Sequence, residues 1–146
     1  MPRKKVHNRK ISDACLLLLL VLGSLTWGCT NRYPKTVKIK GQVSYRGEPL
    51  KSGLVTFSPV EQGTRRVAYA YITEGGFFQL TSFRSRDGIQ PGEYRIAIHA
   101  HDRNKPSTRY PRGAPVIPEK YLSAETSGLT ATVAEGGSHT LNFNLE

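Results

Sequence analysis

The sequence predicts an all-β domain, a seven-stranded antiparallel Greek-key β-sandwich, behind an N-terminal signal segment. Three observations predict it. Beyond position 36 the apolar residues recur with period two, as in a strand with one buried and one wet face. Glycine-rich turns interrupt that alternation at short intervals. No stretch reads as a long amphipathic helix, so sheet must pack on sheet. The chain has 146 residues, enough for one domain, and is 38% hydrophobic and 22% charged, which is ordinary globular composition.

The first strand is the clearest. Val37, Ile39, Gly41, Val43 and Tyr45 alternate with Lys38, Lys40, Gln42 and Ser44. Turn chemistry follows at Gly47-Glu48-Pro49-Leu50, and residues 54–60 form a second strand, stopped by Pro59 and the polar run 61–64. Residues 66–73, rich in Val, Tyr and Ile, form a third, which Gly75 and Gly76 join to residues 77–81 as a hairpin. A glycine-flanked segment, 88–92, opens the strand at 94–98, where Tyr94, Ile96 and Ile98 face inward and Arg95 outward. Residues 129–133, the turn Glu135-Gly136-Gly137 and residues 141–145 read as a closing hairpin, with Phe143 inward. A domain of this size buries a core without disulfides. Residues 102–128, with Pro106, Pro111, Pro115 and Pro118, read as one long irregular loop, a kind usually functional or disordered. Its segment 117–122 is expected to dock on the sandwich through its apolar members.

These residues resemble a known family. The run Ile39-Lys40-Gly41-Gln42-Val43, the turn Gly47-Glu48-Pro49-Leu50, a strand ending at Phe57, the run Gly76-Phe77-Phe78-Gln79-Leu80, and Pro91-Gly92-Glu93-Tyr94 are similar to the carboxypeptidase regulatory-like domain, a transthyretin-related sandwich. Small exported bacterial lipoproteins of that kind also carry an Ile-Pro-x-Lys-Tyr segment followed by Ser-Gly-Leu-Thr, here at 117–121 and 127–130. The resemblance spans residues 37–145. It implies the fold and no activity, because such domains are attached to many functions. The transthyretin-related hydrolases of purine breakdown end in Tyr-Arg-Gly-Ser, whereas this chain ends Leu141-Asn142-Phe143-Asn144-Leu145-Glu146.

The amino-terminal segment reads as an export signal. Basic residues between Arg3 and Lys10 precede the apolar run 14–22 and a stretch containing small residues, 23–29. The run is about 14 residues even when extended to Trp27, short of the roughly 20 that cross a bilayer, although flanking residues can stretch an uncleaved anchor. Leu25-Thr26-Trp27-Gly28-Cys29 resembles a bacterial lipobox, with cleavage after Gly28 and lipidation of Cys29. Thr26 and Trp27 depart from the aliphatic and small residues that such boxes prefer, and an ordinary secretory signal is the other reading. Cys15 leaves with the signal, so an exported chain holds one thiol and no disulfide. The expected organisation is a signal peptide at 1–28, a tether at 29–35 and the sandwich at 36–146. Thr30 is not the aspartate that retains some lipoproteins at the inner membrane, which points by resemblance to the outer membrane.

The formal net charge is +10, from 21 basic and 11 acidic side chains. Five of those bases and one acid precede Leu16, so the excess is partly an address label. Arg103, Lys105, Arg109 and Arg112, with Tyr110 among them, form the candidate contact for an anionic surface. Nucleic acid is not an expected partner of an exported chain, and no phosphate-cradling loop or zinc-knuckle spacing is present. His99 and His101 point to one face of a strand, but a catalytic zinc wants three protein ligands, so no metal and no cofactor are expected. With Tyr94, Ile96 and Ile98 inward, the two histidines belong on the wet face. No G-x-S-x-G elbow exists and Cys29 lies outside the domain, so no catalytic residue is assigned. The expected function is a non-enzymatic, lipid-anchored cell-envelope protein, held to the membrane through Cys29, whose sandwich is a structural or interaction module for an envelope protein or polymer. The alternative is a secreted wall-polymer or glycan-binding domain using the 103–112 loop. A metal-dependent hydrolase rests on His99 and His101 alone.

Overall fold

The computed structural model describes residues 33–61, 63 and 65–146, and the signal segment, Gly28 and Cys29 lie outside them. The described chain is all-β, with ten strands and one short 3-10 helix. In chain order the strands are β1 (Lys38–Tyr45), β2 (Glu48–Pro49), β3 (Gly53–Pro59), β4 (Ala68–Ile72), β5 (Phe77–Gln79), β6 (Gly92–His99), β7 (His101–Asp102), β8 (Ala114–Pro115), β9 (Thr130–Val133) and β10 (Ser138–Leu145). All seven segments expected to be strands contain one, and the remaining three are two-residue pieces.

Two four-stranded sheets carry the architecture. In the first, β10, β1 and β2 lie side by side and β5 also pairs with β1; in the second the order is β4-β3-β6-β9. The strand alternation places its apolar members between the sheets: Ile39 and Val43 of β1, Val55 and Phe57 of β3, and Tyr94, Ile96 and Ile98 of β6 are fully buried, while Arg95 is exposed. Four rings knit the two layers. Phe57 meets Phe78, Tyr94 and Phe143 with centroids 6.5, 6.2 and 6.2 Å apart, and Phe78 stacks on Phe143 at 6.0 Å. These separations suit offset and edge-on aromatic contacts, which add to the apolar area the rings bury. The one buried hydroxyl of these rings, on Tyr94, donates to the Gln90 carbonyl at 2.7 Å.

The pairing differs from the sequence expectation in three places. Residues 129–133 and 141–145 do not form a closing hairpin: β9 joins β6 in the second sheet, and β10 crosses to the first. There it runs parallel to β1 from Lys38↔Ser138 to Tyr45↔Leu145, so the architecture is not wholly antiparallel. Turn glycines at 136 and 137 let the chain reverse, but Ala131 and Val133 belong to one layer and Phe143 and Leu145 to the other, so the arms separate to bury them. The third strand and residues 77–81 do turn at Gly75 and Gly76, yet β4 pairs with β3 and β5 with β1. This hairpin is clasped at its mouth by the bridge Tyr69↔Thr81 and at its tip by Thr73 N–H on the Phe77 carbonyl. Between those clasps β4 and β5 form no ladder with each other, among the described residues.

Gly41 explains how β10 fits. A Cβ on Gly41 would lie 1.7 Å from the Leu141 carbonyl oxygen and 2.8 Å from the Phe78 ring, so only glycine allows β10 and β5 to close on β1 together. The turn after β1 needs two left-handed residues, and Arg46 (φ 53°) and Gly47 (φ 84°) supply them, the pattern of a tight two-residue hairpin.

The irregular segment 102–128 is more ordered than its prolines imply. His101 and Asp102 pair with Pro115 and Ala114 as a small ribbon, and the 3-10 helix Glu119–Leu122 packs on β6. Ile117 and Tyr121 are buried, as the docking expectation requires. The Tyr121 hydroxyl both donates to the Glu146 carbonyl and accepts its N–H, which ties this segment to the end of β10.

Candidate functional site

Two concave regions stand out among the described residues. The smaller, about 450 Å³, lies where β6 ends and contains both histidines with Tyr110, Arg112 and Leu122. Ala100 is fully buried on the same side as Tyr94, Ile96 and Ile98, so His99 and His101 share the opposite face, where Tyr110, Arg112 and Leu122 of the 102–128 segment flank them and leave them half-buried in this recess and not open to solvent. His101 Nδ1 lies 2.9 Å from the Gly113 carbonyl, which places a proton on Nδ1, and its ring packs 5.6 Å from Tyr110. Burial first, then His101 and the Arg112 guanidinium, hold the His99 pKa below its usual 6.5. No group of three or more His, Cys, Asp or Glu side chains converges among the described residues.

The four cations predicted to form a patch are not equivalent. Arg109 pairs with Glu119 at 3.0 Å and lies over the Tyr110 ring, and Lys105 approaches Asp102 at 3.9 Å. Arg112 faces the histidine recess, and Arg103 is exposed near it in sequence. Two of the four charges are thus partly offset by carboxylates of the same segment.

The larger region is an open groove of about 800 Å³ across the outer surface of β4, β5, β1 and β10. It exists because the β4–β5 hairpin splays between its two clasps. The walls carry three aromatic rings that the core does not use: Tyr69, Tyr71 and Phe77, exposed by 43%, 72% and 58%. Tyr69 and Tyr71 meet edge to face at 6.2 Å, which orients the pair. Amides from Gln42, Gln79 and Asn142 and hydroxyls from Thr73 and Thr140 line the floor and rim. Gln42 Nε2 donates to the Gly75 carbonyl at 2.7 Å, and Asn142 Oδ1 accepts the Gln42 N–H at 3.2 Å, so two of these amides are held in place. Lys40 and Arg86 are the charged members, and no carboxylate lines the groove among the described residues.

The aromatic wall was not visible in the sequence as a site. In the run Ala68-Tyr69-Ala70-Tyr71-Ile72 the alternation is plain, but both alternating types are apolar enough to face inward. The structure buries Ala68, Ala70 and Ile72 on one face of β4, with Ala68 opposite Phe57 of β3 in the ladder. The usable signal is the parity of Ile72, whose burial fixes Ala70 and Ala68 on the same side.

No family model matches the chain. No curated protein sequence matches it either. Among solved structures it is similar to a DUF3823 family protein from Parabacteroides merdae, with a TM-score of 0.44 and 14% identity over 77% of this chain and 47% of that one. The chain therefore spans about half the length of that protein. No helix among the described residues is long and apolar enough to cross a membrane.

Proposed function

We propose that the protein is a non-enzymatic lipoprotein of the cell envelope, anchored through an acylated Cys29 after cleavage behind Gly28, whose β domain is an interaction module. The observation that carries the interaction role is the make-up of the groove: aromatic faces, side-chain amides and hydroxyls in the open, on strands of both sheets. Such surfaces recognise ligands by stacking and hydrogen bonding. In its finer form the fold is a Greek-key sandwich of the carboxypeptidase regulatory-like type. Support comes from the wiring, in which the chain passes from the first sheet to the second after β2, returns at β5, leaves again at β6 and comes back at β10. The lipid anchor rests on the resemblance of residues 25–29 to a lipobox, and the outer membrane on Thr30. Acylation by several chains makes attachment stable where a single chain would bind reversibly, since each buried CH₂ contributes about 0.8 kcal/mol.

Mass spectrometry of the mature amino terminus tests the anchor. The expected species begins at Cys29 and carries acyl chains, and Cys29→Ser moves the protein from the membrane fraction while leaving its thermal melt unchanged. An unmodified Cys29, or cleavage elsewhere, overturns the lipoprotein assignment and leaves a secreted domain.

A further inference from the structure

We infer that the groove over β4, β5, β1 and β10 is a binding site for an acidic polysaccharide, a chain of sugar rings bearing carboxylates. The inference rests on the interaction-module reading and names the ligand class for its site. Each component of the surface matches one component of such a polymer. The exposed faces of Tyr69, Tyr71 and Phe77 offer flat apolar platforms for the C–H faces of sugar rings. Gln42, Gln79 and Asn142 each present amide groups that donate to and accept from hydroxyls. Lys40 and Arg86 supply the positive charge, and neither takes part in an ion pair among the described residues.

The local backbone is arranged to present that charge. Asp87, the carboxylate next in sequence to Arg86, is consumed by the turn: Oδ1 accepts Ser82 N–H at 2.8 Å, and Oδ2 accepts Phe83 and Arg84 N–H at 3.0 and 2.9 Å. Arg86 itself sits at φ 57°, a left-handed conformation that an arginine seldom adopts, and its N–H donates to Thr81 Oγ1 at 3.0 Å. The turn thus spends its acid on the backbone and leaves the guanidinium exposed at the rim of the groove.

A peptide strand is the competing occupant, since two sheet edges meet here. Strand addition needs a free run of backbone donors and acceptors. The edges of β4 and β5 are instead clasped to each other at Tyr69–Thr81 and Thr73–Phe77, so the backbone facing the gap, residues 70–72 and 78–80, is short and closed at both ends. Side chains, not backbone, are what the groove offers.

The test uses the full chain purified in detergent and titrated calorimetrically with polygalacturonate, with fully methyl-esterified polygalacturonate and poly-L-glutamate as comparison polymers. Polygalacturonate is expected to bind, and the neutral ester about tenfold more weakly, a loss that raised salt reproduces for the acid form. Tyr71→Ala and the pair Lys40→Gln with Arg86→Gln are each expected to weaken binding about tenfold with unchanged melting curves, because all three side chains are exposed. The pair Arg103→Gln with Arg112→Gln is expected to leave binding unchanged. Equal affinity for poly-L-glutamate, or insensitivity to Tyr71→Ala, overturns the polysaccharide assignment. Loss of binding only in the Arg103 and Arg112 pair moves the site to the 102–128 segment and overturns the groove while sparing the interaction-module reading. No binding to any polymer also overturns the inference, whereas the anchor stands or falls separately on the chemistry of Cys29.

Discussion

The side-chain hydroxyl of Ser127 donates to the main-chain carbonyl of Ile96, a residue 31 positions earlier in the chain, and accepts the Leu129 N–H at 3.1 Å. Ile96 N–H in turn reaches the Leu129 carbonyl at 3.0 Å. A side chain therefore continues the β6–β9 ladder past the point where β9 begins. Ser127 is the one buried polar residue among the described residues, and its burial is tolerated because both its donor and an acceptor site are used.

Ser127→Ala strands the Ile96 carbonyl in a buried position. The expected cost is about 1–3 kcal/mol, the penalty of an unsatisfied buried group. Chemical denaturation of the two proteins checks it, and a change below measurement error would mean that water reaches Ile96.

The last strand offers a test of register. Phe143 is at the centre of the ring cluster and its neighbour Asn142 is exposed. Phe143→Ala is expected to destabilise by about 3–5 kcal/mol. Asn142→Ala loses one exposed hydrogen bond to Gln42 N–H and is expected to cost no more than about 1 kcal/mol. Equal melting shifts for the two would contradict the inward placement of Phe143.

Gly41→Ala tests the contact between the first and last strands. The added methyl meets backbone at Leu141, which has no flexible end to swing aside. A loss of about 3 kcal/mol, the upper part of the range for overpacked cores, is expected, with exchange protection falling first along β10. Wild-type stability in Gly41→Ala would show that the strands can part without cost.

His99 makes stability depend on pH in a defined direction. Folding lowers its pKa below the ordinary 6.5 through burial, His101 and Arg112, so the unfolded chain binds a proton that the folded one does not. The associated stability is present above pH 6.5 and is lost as pH falls from there toward the folded value. An NMR titration is expected to place the His99 midpoint below 6.5, and Arg112→Gln to move it upward. A midpoint above 6.5 would contradict the buried, cation-flanked setting.

Strands that alternate apolar with charged residues were legible in the sequence. In β1 the lysines at 38 and 40 leave one choice of inward face, and in β6 Arg95 does the same between Tyr94 and Ile96. Where two apolar types alternate, as in β4, periodicity supplies no inward face, and the exposed tyrosines of the groove were hidden for that reason. Turns were legible, but pairing was not. Gly75-Gly76 and Gly136-Gly137 mark reversals, whereas the partner of each arm depends on which layer must bury its side chains, a property of the whole fold. The crossing of β10 to β1 joins residues 100 positions apart, and no local signal encodes it.

That crossing also determines how the domain bears load. Because β1 and β10 run parallel, the start of the first strand and the end of the last lie at opposite ends of one ladder. A pull between the two ends of the domain acts along the strands. It shears the whole set of cross-strand bonds from Lys38↔Ser138 to Tyr45↔Leu145 at once, whereas an antiparallel hairpin unzips bond by bond. The ladder is a mechanical clamp: extension from the termini must rupture it before any inner strand feels the force, so the domain holds its shape under tension along this axis.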